Sequence, residues 1–229
     1  MKALTIRQPW ASLIALGVKT IETRSWRAPH ALIGKTIAIH AGASPAAWNA
    51  LDAPSLMSDR TAITAVLAAL PGVVIDERSW CTSYISEGAI RFSGLDLELP
   101  LGAVVATATL ADCVPMVDEW PRMGTGNVLF VPTADDLAYP GGSRAHVWLS
   151  GDPKGQDVSD QLPYGDFTPG RWAWVLEDVQ PTEVRCPACW GAGERYAANG
   201  LRVVCICGDA GHCSPVPAKG RLGLWEWQP

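Results

Sequence analysis

Apolar positions in this chain fall into short periodic stretches separated by proline- and glycine-rich breaks. Leu4-Thr5-Ile6 alternates briefly before Gln8-Pro9-Trp10. Trp10, Leu13, Ile14 and Val18 then keep helical spacing, with Pro9 in the first turn and Gly17 at the stop. A short helix over about 9–17 is expected. Lys19 to Trp26 alternates and predicts an edge strand or extended turn, and Gly34 to His40 a further strand. Ser44 caps a helix that has Pro45 in its first turn, and Thr61 to Leu70 forms another, stopped by Pro71-Gly72. Leu101 to Ala111 is apolar and β-branched and reads as a strand. From Pro115 to Pro169 periodicity fades into an irregular excursion with short helical turns. Strands return at Gly170 to Leu176 and at Gly220 to Trp227. The sum is an α+β chain around a small mixed barrel, although the period alone does not separate a barrel from a sandwich.

Composition narrows the picture. The 229 residues suffice for one decorated domain or two small ones. With 48% apolar and 18% charged residues the chain has a globular profile. A net charge of −5 argues against wrapping duplex nucleic acid, yet leaves room for a narrow basic pocket. No run approaches the roughly 18 unbroken apolar residues of a membrane span, and Met1 to Trp10 carries no apolar leader or cleavage site. A cytoplasmic protein with no membrane partner is expected. The 11 tryptophans can be core residues or stacking platforms.

Lys19, Glu22, Arg24 and Arg27 form the densest charge of the chain, close to Trp26. In an extended segment Lys19, Ile21 and Thr23 face one way and Glu22 and Arg24 the other, while a bend after the helix can bring Lys19 and Glu22 together. Two readings stand open: a solvated strand edge, or a ligand site. His40 and His146 lie away from any Cys or carboxylate pattern, as structural histidines do. Asp166 and Arg171 flank a turn and can be a simple loop pair.

Arg7-Gln8-Pro9-Trp10-Ala11 followed by Gly17-Val18-Lys19-Thr20-Ile21-Glu22-Thr23-Arg24-Ser25-Trp26 resembles the opening of ASCH-domain proteins. The likeness continues at Ile37 to Gly42, at Gly102 to Thr107, at Tyr164 to Phe167 with Arg171 to Trp174, and at Gly223-Leu224-Trp225. These blocks span nearly all of residues 1–229 in the family's order. The resemblance implies a PUA-like mixed β-barrel with flanking short helices. In it a G-x-K-x-x-E-x-R stretch lines a cleft for RNA or a nucleobase-sized ligand. Lys19, Glu22, Arg24, Arg7, Trp10 and Trp26 then become binding candidates, with Tyr164, Asp166 and Arg171 as the other wall. Some relatives are hydrolases of acylated cytidine or of RNA. The amidohydrolases use a Lys, a nearby Thr and a later Glu. Lys19 matches that Lys, but Glu22 stands in place of the Thr. If the chain is an enzyme, Lys19 and Glu22 are its catalytic candidates. Lys19 would bind phosphate or activate water, Glu22 would accept an exocyclic amine or act as base, and Arg24 would hold a phosphate or carbonyl oxygen.

Five of seven cysteines crowd between Cys186 and Cys213, a spacing of metal sites more than of disulfides. Cys186-Pro187-Ala188-Cys189 precedes Gly191 and Gly193; Cys205, Cys207, His212 and Cys213 follow. Zinc takes four thiolate or imidazole ligands from two such knuckles. Cys186 and Cys189 are candidate ligands with two more from the later set, against the alternative of unmetallated thiols. The first half is similar to the C-x-x-C-x-G-x-G units of DnaJ-type modules. A structural zinc knuckle inserted at 184–216 is thus expected.

Three functions follow. The chain reads RNA or a modified nucleobase in the cleft, or it hydrolyses a nucleoside derivative or RNA there. Alternatively, the knuckle and the 115–169 excursion dock a protein partner.

Overall fold

In this computed structural model the described residues are 1–43, 83–86, 89–92, 95–119, 127–133, 144–149, 155–182, 194–196, 202–204, 216–221 and 223–228. In chain order the elements are β1 (Lys2–Ile6), α1 (Trp10–Ala15), β2 (Ile21–Arg24), β3 (Lys35–Ala41), β4 (Ser83–Ser86), β5 (Ala89–Phe92) and β6 (Leu95–Pro100). There follow β7 (Ala103–Val117), β8 (Val128–Phe130), β9 (His146–Trp148), β10 (Gln156–Asp157) and β11 (Trp172–Pro181). The last are β12 (Glu194–Tyr196), β13 (Arg202–Val204), β14 (Val216–Pro217) and β15 (Leu224–Glu226). Among the described residues strands dominate, helices are few and short, and the main sheet is mixed, consistent with an α+β fold. No pairing among the described strands closes a barrel. The helices expected from Ser44 and over Thr61 to Leu70 lie outside the described residues.

The chain divides into two compact units. One comprises Met1–Val18, Ile37–Ala108 and Val179–Pro229. In it β1 runs parallel to β3, with Ala3 opposite Ala38, and antiparallel to β15, with Ala3 opposite Trp225. The start of β7 carries β14. Ala3, Ala38, Val104 and Trp227 are buried together there, small residues making room for the indole. Helix α1 sits after Pro9, and Gln8 caps it: the buried amide oxygen accepts from the Ser12 N–H at 3.1 Å, while its nitrogen donates to Pro100 O at 2.8 Å. The helix stops as expected. Gly17 takes φ +73°, its N–H bonds to Ile14 O at 2.8 Å, and Val18 N–H bonds to Leu13 O at 3.0 Å. That left-handed turn satisfies two orphan carbonyls and favours a residue without a Cβ.

The other unit comprises Lys19–Thr36 and Thr109–Asp178. There the second half of β7 pairs in parallel with β8, with Met116 opposite Leu129. β8 pairs antiparallel with β9, and β9 with β10. β11 lies against β7, Met116 N–H bonding to Arg171 O at 2.9 Å, and carries β2 on its far side. Ile21, Val114, Met116, Leu129, Val147, Phe167, Ala173 and Val175 are buried as one cluster. The described residues between Pro115 and Pro169 are therefore less irregular than expected. They hold the end of β7, strands β8 to β10 and a 3-10 helix over Ser159–Tyr164. Strands of two or three residues are too short to register as alternation, and they are placed by pairing with neighbours instead.

Two further small sheets are present. β4, β5 and β6 form an antiparallel meander, and β12 pairs with β13 as a hairpin, with Glu194 opposite Val204. That hairpin falls inside the expected insertion at 184–216. Its cysteines and His212 lie outside the described residues. Among the described residues no helix is long and apolar enough to cross a membrane.

Candidate functional site

Two residues beyond Gly17, Lys19 enters the second unit fully buried, at 0% exposure. Three acceptors surround its ammonium. Nζ donates to Ile21 O at 2.5 Å and to Tyr164 O at 2.8 Å, and lies 3.3 Å from Glu22 Oε2. An ammonium has three protons, and each is directed at an oxygen. Burial pushes the Lys19 pKa below the ordinary lysine value; Glu22 opposes that shift and Arg24 adds to it. The other Glu22 oxygen, Oε1, is 3.0 Å from Arg24 Nε. The solvated strand edge is thereby excluded, because Lys19 and Glu22 are both buried.

Strand pairing decides which side chains share a face. β2 and β11 are antiparallel, with Glu22 opposite Trp174 and Arg24 opposite Trp172, while Ile21 pairs with Val175 and Thr23 with Ala173. Side chains alternate along a strand, and directly opposed residues point the same way. Ile21, Ala173 and Val175 belong to the buried cluster, so the opposite face carries Glu22, Arg24, Trp172 and Trp174. Trp174 is fully buried and packs edge-on against Trp26, the ring centroids 4.8 Å apart. Its indole N–H donates to Trp26 O at 3.4 Å. Trp26 itself stays 36% exposed. Next to it, the exposed Arg27 lays its guanidinium over the Trp172 ring, 5.2 Å from the centroid.

The segment 159–171 backs this arrangement. Buried Gln161 accepts the Thr20 N–H at 2.8 Å, which fixes the entry into β2. Tyr164 contributes its backbone carbonyl to Lys19. The Asp166 N–H donates to Thr23 Oγ1 at 3.2 Å. The Asp166 carboxylate turns back on its own loop, accepting from the Thr168 hydroxyl at 2.6 Å and lying 3.3 Å from Arg171 Nη1. The Thr168 hydroxyl, ahead of the Arg171 charge, holds that carboxyl below the usual aspartate range. Arg27 stood in the charge cluster read from the sequence, whereas Gln161 and Trp172 were missed as site members. Only the alternation of Trp172 with Trp174 could have pointed to one of them.

Arg7 and Trp10 belong to the first unit and there face each other, the guanidinium 5.4 Å from the ring centroid. In the same unit His40 is buried between Thr5 Oγ1 at 3.1 Å and Ala218 O at 3.2 Å, edge-on to Trp225. His146 lies 2.9 Å from Arg144 O and tilts against Trp148. Both histidines are engaged in the local structure.

A family model described as the ASCH domain matches residues 4–146, more than half of the chain. The chain belongs to the ASCH-domain family. That domain is generally regarded as an RNA-binding module. A search among curated proteins finds no match. In this ASCH domain the match contains Lys19, Glu22, Arg24 and Arg27, which supply the charge on and beside β2, together with Trp26.

Proposed function

We propose that this ASCH domain binds single-stranded RNA, or a modified nucleobase carried in it, on the face formed by β2 and β11. The observation that carries the proposal is the clamped carboxylate of Glu22, held by Lys19 on one oxygen and Arg24 on the other. A fixed, partly desolvated carboxylate accepts from an exocyclic base amine without reorganising. Arg24, more exposed than Glu22, is placed for a phosphate or carbonyl oxygen.

Lys19 favours binding over hydrolysis. A lysine that acts as base needs a free lone pair and access to its substrate. Here the amine is buried and its protons are committed to two carbonyls and a carboxylate. Its role in the proposal is to hold Glu22 and the Tyr164 carbonyl in place. The test is anisotropy of short labelled RNAs, with product analysis of the same mixtures. Arg24→Ala and Glu22→Gln should each weaken binding by about 10- to 100-fold, the range for losing a charge-assisted hydrogen bond, and the RNA should emerge intact. RNA cleaved by wild type and spared by Glu22→Gln would make the protein a hydrolase instead.

A structural zinc on four of Cys186, Cys189, Cys205, Cys207, His212 and Cys213 completes the proposal. It is supported by the β12–β13 hairpin. Glu194 opposes Val204, so the chain from Cys189 enters the hairpin at the end where the chain toward Cys205 leaves it. Zinc bound there would tie those two segments together and supply folding energy to the insertion.

A further inference from the structure

Trp172 and Arg27 have no part in the clamp around Glu22, yet they occupy the same face. Trp172 is the cross-strand partner of Arg24, which sets its ring beside the charged pair. The ring is partly exposed, and the Arg27 guanidinium lies over it, 5.2 Å from the centroid. Among the described residues no carboxylate lies within ion-pair distance of Arg27. Its backbone is anchored all the same: the neighbouring Trp26 carbonyl accepts from buried Trp174, and the Ala28 N–H donates to Cys113 Sγ at 3.2 Å. A fixed backbone therefore carries an exposed guanidinium over an aromatic face, with no ion-pair partner among the described residues.

We propose that the Trp172 indole is a stacking platform for an unpaired RNA base, and that Arg27 leaves the ring on binding to take the adjoining phosphate. This rests on the RNA-binding function proposed above and names its substrate class as single-stranded. An exposed guanidinium–indole contact is weaker than a base stacked on the same ring, so the exchange runs toward the complex. The displaced guanidinium gains a bidentate partner in the phosphate. Trp26, 36% exposed at the neighbouring position, extends the aromatic surface. A duplex base presents only its edge and has no face to offer, so a duplex would not use the platform.

The experiment measures anisotropy of a short labelled RNA against salt concentration for the full chain. Wild type is compared with Trp172→Ala, Trp172→Phe, Arg27→Ala and Arg24→Ala, each checked by thermal melting. Trp172→Ala should weaken binding by about 5- to 150-fold, the range for losing one stacked base, with the salt slope unchanged. Trp172→Phe should retain part of the affinity. Arg27→Ala should flatten the slope of log K on log salt by about 0.7, one released counterion on a single strand. If Trp172→Ala fails to fold, the Phe and Arg27 variants still decide. Wild-type affinity in Trp172→Phe together with an unchanged slope in Arg27→Ala would overturn the platform. Loss in Arg24→Ala with no change in the Trp172 variants would also overturn it, while leaving the RNA-binding function standing. Absence of RNA binding by wild type would remove both. Equal binding of a duplex, with equal sensitivity to Trp172→Ala, would likewise refute the stacking role.

Discussion

Replacing Lys19 by methionine removes the ammonium and keeps much of the side chain's length and volume. Lys19 is fully buried, and three oxygens depend on it: Ile21 O, Tyr164 O and Glu22 Oε2. Removing one partner of a buried ion pair typically costs about 3–5 kcal/mol, because the other charge stays buried and uncompensated. Glu22 keeps Arg24 at 3.0 Å, which lowers its share of that cost. The two carbonyls each lose a hydrogen bond from a charged donor, worth about 1.5–3 kcal/mol apiece. The sum is not additive within one network, so a net loss of about 3–5 kcal/mol is expected. For a chain of this size, that lowers the melting temperature by about 6–20 °C.

The assay is thermal or urea unfolding of wild type, Lys19→Met, Glu22→Gln and the double variant. Since Glu22→Gln removes the charge that Lys19 would otherwise leave uncompensated, the double variant should lose less than the two single losses added. A Lys19→Met protein as stable as wild type, within about 0.5 kcal/mol, would refute the clamp. Such a result is what a strained, function-dedicated lysine gives, since its removal relieves the desolvation that lowers its pKa.

Three other perturbations test separate parts of the fold. A Cβ added at Gly220 would overlap the His40 ring, which Thr5 and Ala218 hold in place. Gly220→Ala should therefore cost about 1–3 kcal/mol, and a neutral result in urea unfolding would show that the ring can yield. Desolvation, opposed by the Ala218 carbonyl, holds the His40 pKa below the ordinary histidine value. The folded state then binds fewer protons than the unfolded chain below about pH 6.5. Its contribution is intact above that pH and is lost as pH falls toward the folded value. Melts between about pH 7.5 and about pH 5.5 should lose more for wild type than for His40→Gln; parallel losses would contradict this. If the proposed zinc is bound, chelation should release it and raise hydrogen exchange within 184–216 while leaving β1, β3 and β7 protected. Unfolding of the whole chain would contradict a local structural metal.

What the sequence made legible follows from the range of the forces involved. Helix α1, β3, the first part of β7 and the start of β11 were readable because their alternation or helical spacing extends over several residues. Gly17 was readable because a left-handed turn at a helix end is a local requirement. The period of two also sorted Glu22 and Arg24 from Ile21 and Thr23, and that sorting holds in the β2–β11 ladder. The burial of Lys19 was not legible. A lysine in an alternating segment ordinarily reads as solvent-facing, and one of its acceptors, Tyr164 O, lies 145 residues away. The same distance hid Gln161, whose amide receives the Thr20 N–H across 141 residues. Asp166 and Arg171 were legible as a pair, but their closure on the 166–171 loop is a matter of side-chain geometry.

Charge explains why a site of this kind suits an acidic chain. A net charge of −5 gives no long-range attraction for a polyanion, so affinity must arise at contact distance. On the β2 face and its flank, Lys19, Arg24 and Arg27 stand against Glu22. Lys19 is committed to the interior, so in the proposed complex Arg24 and Arg27 would meet phosphates, far fewer contacts than duplex wrapping requires. With so little charge available, discrimination in the proposed complex would pass to the groups placed to meet a base: the fixed Glu22 carboxylate and the Trp172 ring. Both are held by the strand pair whose reverse side is the apolar core. Their spacing is thus set by the packing of Ile21, Ala173 and Val175 rather than by a loop free to move.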